Sequence, residues 1–430
     1  MSRLFFRIGR SVGSMVAVVL LLAPWAARAQ GNRVLTFKNG CSQTVWIGAV
    51  GGFTQNCGAN NSCPAGQACL AIRQPPGCFW SLPTPASGTF KLATGASTTV
   101  TLAAAAQGTT KWSGNVYGST GCNGSGQSCQ TGPCVGGACQ AGVGPVGPTT
   151  LAEFTLVTTG PDTYDVSAIN GVNLPIEMKP TSGQSFGPAP SGPTGYYFCG
   201  GSGSPQASNR HLTGCSWQFN PTVNGSDQSA FLQMVPPGGT ACTKNGDCTA
   251  PQVCGLAMTV GTTTVNQVCG QQIGWWTADE VCGFTASAYG APFNCAASVS
   301  GQGNNANLYL CNGANGSTCY NPSATSTCCG CPKWIINGNT LPATLSCGSS
   351  NTTTNPSWSR IAQPWAQFIK QACPTAYSFA YDDATSTFTC VSPGVTTSNP
   401  NSVNYTITYC PGGKTGMAAP KAAPKAKRRG

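Results

Sequence analysis

The chain has 430 residues, of which only 7% are charged, with 26 cysteines, 56 glycines and 32 prolines, and this excludes a protein coated by Lys- and Glu-rich exposed helices. Its formal charge of +11 belongs to the two ends. The body between residues 30 and 413 carries 11 Lys and Arg against 10 Asp and Glu, and so lacks the basic face that nucleic-acid binding needs.

Arg3, Arg7 and Arg10 precede an apolar run over 15–22 and the small-x-small triplet Ala27-Arg28-Ala29. That order is a secretory signal, expected to be residues 1–29. The run falls short of the roughly 20 residues that span a bilayer. A secreted protein, extracellular or periplasmic, with no membrane span is therefore expected. Alternating segments rich in Val, Ile, Thr and aromatics follow at 34–38, 44–50, 98–102, 154–159, 164–169 and 405–409. Several short strands at such intervals predict a mainly β sandwich or barrel. One segment is helical in pattern: Trp365, Phe368, Ile369 and Ala372 share a face behind Pro364, and Pro374 stops it. The tail over 414–430 alternates Ala, Pro and Lys, cannot bury a core, and is expected to be a basic disordered end.

An even cysteine count behind an export signal predicts disulfides and no metal, although the run Cys328, Cys329, Cys331 has ligand-like spacing. The cysteines also contain a repeat. Cys57, Cys63 and Cys69 are separated by five residues each time and followed by Cys78; Cys242, Cys248 and Cys254 repeat the spacing, followed by Cys269. Four cysteines per copy predict two bridges inside each small module, since modules of this size need staples.

Five blocks carry a resemblance. These are NGCSQTVW (39–46), GCNGSGQSCQTGPCVGGAC (121–139), TTLAEFTLVTTGPDTYDVSAINGVNLPIEMKP (149–180), FIKQACPTAYSFAYDDATSTFTC (368–390) and NYTITYCP (404–411). Together they resemble the thaumatin and osmotin family of pathogenesis-related proteins. The resemblance implies one thaumatin-like domain over 30–413, a flattened β-sandwich with a disulfide-rich, loop-rich second region and a cleft between them. Cys-rich insertions at about 51–90 and 236–310 lie outside it. It also implies the pairs Cys41–Cys410, Cys122–Cys129, Cys134–Cys139, Cys199–Cys390 and Cys215–Cys373.

For function, the resemblance implies binding of β-1,3-glucan or a related cell-wall polysaccharide at an acidic cleft, with glucanase activity in some members. Carried over by position, Glu153 of LAEF, Asp165 of YDVS and Asp382 of FAYDD match the cleft acids, while Ser119 and Asn170 replace the family's Arg and remaining Asp. Losing a bidentate cation and an acid weakens catalysis more than binding. Glu153 and Asp165 are the tentative catalytic pair, since glycoside hydrolysis needs two carboxyl groups across the sugar bond. If Thr159-Gly160-Pro161-Asp162 forms the turn, these two sit about four residues apart, roughly 13 Å, too far for direct double-carboxylate work. The expected function is polysaccharide binding with weak or no hydrolysis. An endo-β-1,3-glucanase and a protein-binding or enzyme-inhibiting module are the alternatives. A monomer without cofactor is expected. His211, the single histidine, has no nucleophile motif beside it, and Trp275 and Trp276 read as core before they read as a sugar-stacking platform.

Overall fold

A computed structural model describes residues 32–417 except 59–61, 64–66, 72–74, 81, 83–88, 103–109, 135–143, 190–196, 208–211, 260, 314–328, 330, 343–344 and 346–354. The signal segment, His211, Cys139, Cys328 and the tail beyond Met417 lie outside the described residues. In chain order the strands begin β1 (Arg33–Asn39), β2 (Val45–Gly51), β3 (Phe53–Asn56), β4 (Gln67–Leu70), β5 (Gly77–Trp80), β6 (Thr89–Leu92), β7 (Ser97–Leu102), β8 (Thr110–Ser119), β9 (Leu151–Val157), β10 (Asp162–Ser167) and β11 (Ile176–Pro180). Shorter ones follow: β12 (Thr222–Val223), β13 (Ser226–Asp227), β14 (Gln233–Met234), β15 (Val253–Met258), β16 (Val265–Gly270), β17 (Gly274–Trp275), β18 (Ser298–Val299), β19 (Gly303–Asn304), β20 (Ile335–Ile336), β21 (Asn339–Thr340), β22 (Ala376–Tyr377), β23 (Phe388–Cys390) and β24 (Tyr405–Tyr409). The helices are α1 (Ser229–Leu232), α2 (Ala278–Phe284), α3 (Asn305–Tyr309), α4 (Pro356–Ile361), α5 (Gln363–Ala372) and α6 (Asp383–Ser386).

Two sheets face each other. One has the order β11-β24-β1-β7; the other runs β22-β10-β9-β8-β2-β6, with β23 also on β10. β1 and β24 come from opposite ends of the fold and pair in parallel, Leu35 opposite Tyr405. Alternation explains the packing. Leu35 and Phe37 of β1 and Ile407 of β24 turn inward against Ile47, Val116 and Phe154, all buried in one core. Rings close the gap between sheets: Tyr405 lies 5.3 Å from Phe154 and 4.9 Å from Tyr164, centroid to centroid.

The disulfides fasten this frame. Cys41–Cys410 clamps the ends of β1 and β24, Cys122–Cys129 closes a loop after β8, and Cys199–Cys390 and Cys215–Cys373 tie the middle of the chain to its C-terminal part. Cys134 is disulfide-bonded, and its expected partner Cys139 lies outside the described residues. The two modules carry the same crossed pattern. Cys57–Cys69 with Cys63–Cys78 is matched by Cys242–Cys254 with Cys248–Cys269. In each copy the third and fourth cysteines face one another across an antiparallel pair, Cys69 opposite Cys78 and Cys254 opposite Cys269.

The disulfide-rich second region packs on the sandwich through backbone and aromatic contacts. Val172 and Trp275 exchange two hydrogen bonds of 2.9 and 2.7 Å. Trp275 and Trp276 are both fully buried, their indole N–H groups donating to Gly416 and Leu256 carbonyls, so neither offers a stacking surface. α5 carries the periodic face read from the sequence, with Phe368, Ile369 and Ala372 buried.

Candidate functional site

The outer face of the larger sheet is polar where three neighbouring strands meet. β8, β9 and β10 send every second side chain outward, and Asn115, Glu153 and Asp165 fall on one transverse row. Ser113, Thr155 and Thr163 form the next row, with Ser113 Oγ 3.2 Å from Thr155 Oγ1. The six line a depression of about 220 Å³.

Glu153 and Asp165 are directly opposite one another, which corrects the four-residue offset expected from the sequence. The turn is not at Thr159–Asp162. Asp162 is a strand residue, fully buried, whose carboxylate pairs with Arg33 and accepts the Val157 N–H at 2.9 Å. The reversal therefore falls on Thr158, Thr159 and Gly160, the last with φ +104°. Moving the turn toward the N-terminus slides β10 along β9 and brings the two acids level.

Opposed carboxyl groups in a half-buried setting cannot both ionise at the usual pH. Burial raises Glu153, and a hydrogen bond from Asp165 opposes that rise. Asp165 is held well above the carboxylate range by burial first, then by the charge and hydrogen bond of Glu153, and then by Asp383. Both carboxyl groups are thus raised and titrate together, Asp165 the more strongly. Such a pair offers a donor and an acceptor side by side.

The other residues carried over by resemblance are dispersed. Asp382 is buried, with its carboxylate turned onto Lys370 Nζ at 2.7 Å and holding Ser378 and Thr385. The acid whose charge reaches Asp165 is its neighbour Asp383, exposed and accepting the Tyr377 hydroxyl at 2.7 Å. Two identical side chains in a row made the choice illegible; burial of one against Lys370 decides it. Ser119 is also buried, donating to the Gly132 carbonyl at 2.6 Å, so it braces the loop after β8 and does not reach solvent. Asn170 is exposed in the turn after β10, five residues beyond Asp165. The sequence reading passed over Ser113, Asn115, Thr155 and Thr163. Their signal is polar residues at alternate positions in three consecutive strands, flanking both acids.

A second pair of acids stands where the disulfide-rich region docks. Thr277 caps α2 and donates its hydroxyl to the Ile169 carbonyl at 2.6 Å. Glu280, in the first turn of α2, accepts the Gly147 N–H, and a side chain at Gly147 would collide with its carboxyl group. Burial pushes Glu280 up to about 7 against the pull of that N–H. Asp279 is raised well above the usual range by burial and then by Glu280. Among the described residues no helix is long and apolar enough to cross a membrane. The cysteine sulfurs that cluster closely, around Cys57 and around Cys242, are already paired with one another as disulfides.

The thaumatin family pattern matches residues 39–411. Thaumatin-like protein 1 of Pyrus pyrifolia is 26% identical over 385 residues, which is 87% of this chain and 90% of that protein. Pathogenesis-related protein 5 of Arabidopsis thaliana is 32% identical over 34% of this chain and 48% of its own length. A pathogenesis-related thaumatin-like protein of Cryptomeria japonica is 55% identical over 47 residues, 15% of its length. The chain thus spans under half the length of these last two relatives. Among solved structures, the thaumatin-like xylanase inhibitor aligns at 27% identity over 34% of this chain and 76% of that one, with a TM-score of 0.20. With the family pattern covering most of its length and a disulfide-clamped, mainly β frame beneath it, the chain belongs to the thaumatin family.

Proposed function

We propose that this protein is secreted and binds β-1,3-glucan or a related cell-wall polysaccharide on the outer face of β8, β9 and β10, with weak or no hydrolysis. The observation that carries the reading is the direct opposition of Glu153 and Asp165 beside two rows of amide and hydroxyl groups. A sugar hydroxyl both donates and accepts. Two opposed carboxyl groups holding one proton between them meet both needs, and Asn115, Thr155 and Thr163 extend the same chemistry sideways.

Ser119 and Asn170, standing where the resemblance expects an Arg and an Asp, argue against efficient cleavage. Retaining enzymes hold their carboxyl groups about 5 Å apart and inverting ones up to roughly 9.5 Å, leaving room for the bond between them. Residues directly opposite across an antiparallel pair stand near the shorter of these separations, so the reducing-end assay below decides between binding and cleavage. Asn170 is accessible to a bound chain, whereas Ser119 supports the loop from below.

The test is co-sedimentation of the mature protein with insoluble β-1,3-glucan, with reducing ends assayed in the supernatant. Retention without reducing-end release is expected, and retention should survive deletion of residues 57–78. Release that Glu153→Gln abolishes would establish the glucanase instead, and no retention at all would reject the polysaccharide.

A further inference from the structure

The other outer face of the sandwich carries a separate cavity. β11 forms the edge of the four-stranded sheet, turning Ile176 and Met178 into the core and Lys179 outward. The loop after it and the segment from Cys199 to Ala207 enclose about 330 Å³ beside Lys179. That volume enters the range of roughly 300–1,000 Å³ typical of small-ligand sites.

Its walls are of three kinds. Phe186 presents a ring that is 38% exposed, unusual for a large apolar side chain here. Lys179 supplies an ammonium group 3.2 Å from Glu177 Oε1, and Ser204 Oγ donates to the same oxygen at 2.6 Å. The cavity's cation is therefore compensated by the acid behind it. Ser182 and Gln206 stand exposed at the rim with a hydroxyl and an amide. The floor is backbone at Gly200, held in place because its carbonyl accepts the Tyr164 hydroxyl at 2.6 Å.

A charged ligand gains little from a wall whose charges already cancel. A wholly apolar one would strip water from the ammonium, amide and hydroxyl groups without replacing their hydrogen bonds. A ligand with hydroxyls around its edge and one apolar face fits both constraints, and a pyranose ring is such a ligand. We propose that this cavity is a second binding site for one or two units of a neutral glycan, with Phe186 beneath the sugar's C–H face and Lys179, Ser182 and Gln206 on its hydroxyls. The Glu153–Asp165 row lies on the opposite outer face, so one molecule holds two attachment points that serve different chain segments. This site does not depend on the acidic row.

Saturation-transfer NMR with a neutral β-1,3-linked glucotriose tests it, using the double variant Glu153→Gln/Asp165→Asn to disable the acidic row. Transfer persists in that background, Phe186→Ala weakens apparent affinity roughly tenfold, and Ala207→Trp, which fills the cavity from its rim, removes the signal. Absence of transfer in the double variant, or transfer that neither Phe186→Ala nor Ala207→Trp changes, overturns the proposal. Equal transfer in wild type and double variant would count against the acidic row alone and leave the cavity standing.

Discussion

Arg33 and Asp162 form a fully buried ion pair that ties the first strand of one sheet to β10 of the other. Arg33 also donates to the carbonyls of Val403 and Asn401, at 2.6 and 3.2 Å, and Tyr405 donates its hydroxyl to Asp162 at 2.8 Å. This one contact anchors the start of β10, and the start of β10 sets which residue faces Glu153.

Removing one partner strands the other charge in the core. Asp162→Ala is expected to cost about 3–5 kcal/mol, read as a lowered denaturant midpoint at unchanged slope. Loss below about 1 kcal/mol would mean that water reaches Arg33 and that the pair does not anchor the strand.

The opposed acids Glu153 and Asp165 make stability depend on pH in an uncommon direction. Both are raised in the folded protein, so the folded state holds more protons than the unfolded one above the ordinary carboxylate range. Their contribution is fully present at low pH and is lost as pH rises. Asp165→Asn should therefore raise the melting temperature at pH 7 and change it little at pH 4. An equal effect at both pH values would show that the fold does not raise the Asp165 carboxyl.

Glu280 should behave alike at the seam between the regions. Its folded value is raised to about 7, so the stability it lends is complete below its unfolded value and fades as pH climbs toward 7. Glu280→Gln is expected to flatten the melting curve's pH dependence between roughly 4.5 and 7. A variant that keeps the wild-type pH profile would exclude this contact as its source.

The disulfides divide into frame and module. Replacing Cys41 and Cys410 with Ser opens the clamp between β1 and β24 and should cost about 2–5 kcal/mol. Replacing Cys57 and Cys69 opens a bridge inside a small insert, and proteolysis should then cut the insert before the sandwich. Simultaneous cleavage of both would show that the insert and frame unfold together.

The frame was legible because its signals are local. Alternation marked β1, β7 and β24 within a residue of their ends, and the helical face around Phe368 is a three- and four-residue pattern bounded by Pro364 and Pro374. The repeated cysteine spacing announced two like modules, although spacing alone left the crossed pairing open. The site was less legible because its determinants are distant. Gly160-Pro161-Asp162 reads as a turn, and partners as distant as Arg33, 129 residues earlier, and Tyr405 draw Asp162 into the strand. Likewise Asp382 and Asp383 are alike in sequence, and Lys370, Ser378 and Thr385 draw the first inward. Ser119 occupies a strand end where a side chain could face either way; the Gly132 carbonyl takes it inward.

Whether the row of Asn115, Glu153 and Asp165 holds a polysaccharide is best measured by affinity for insoluble β-1,3-glucan, comparing the mature protein with Glu153→Gln/Asp165→Asn and with Asp382→Asn. Loss of binding at least tenfold in the double variant is expected, about 1.4 kcal/mol. Asp382→Asn should act through stability alone and bind normally wherever it is folded. Undiminished retention by a folded double variant would contradict the account.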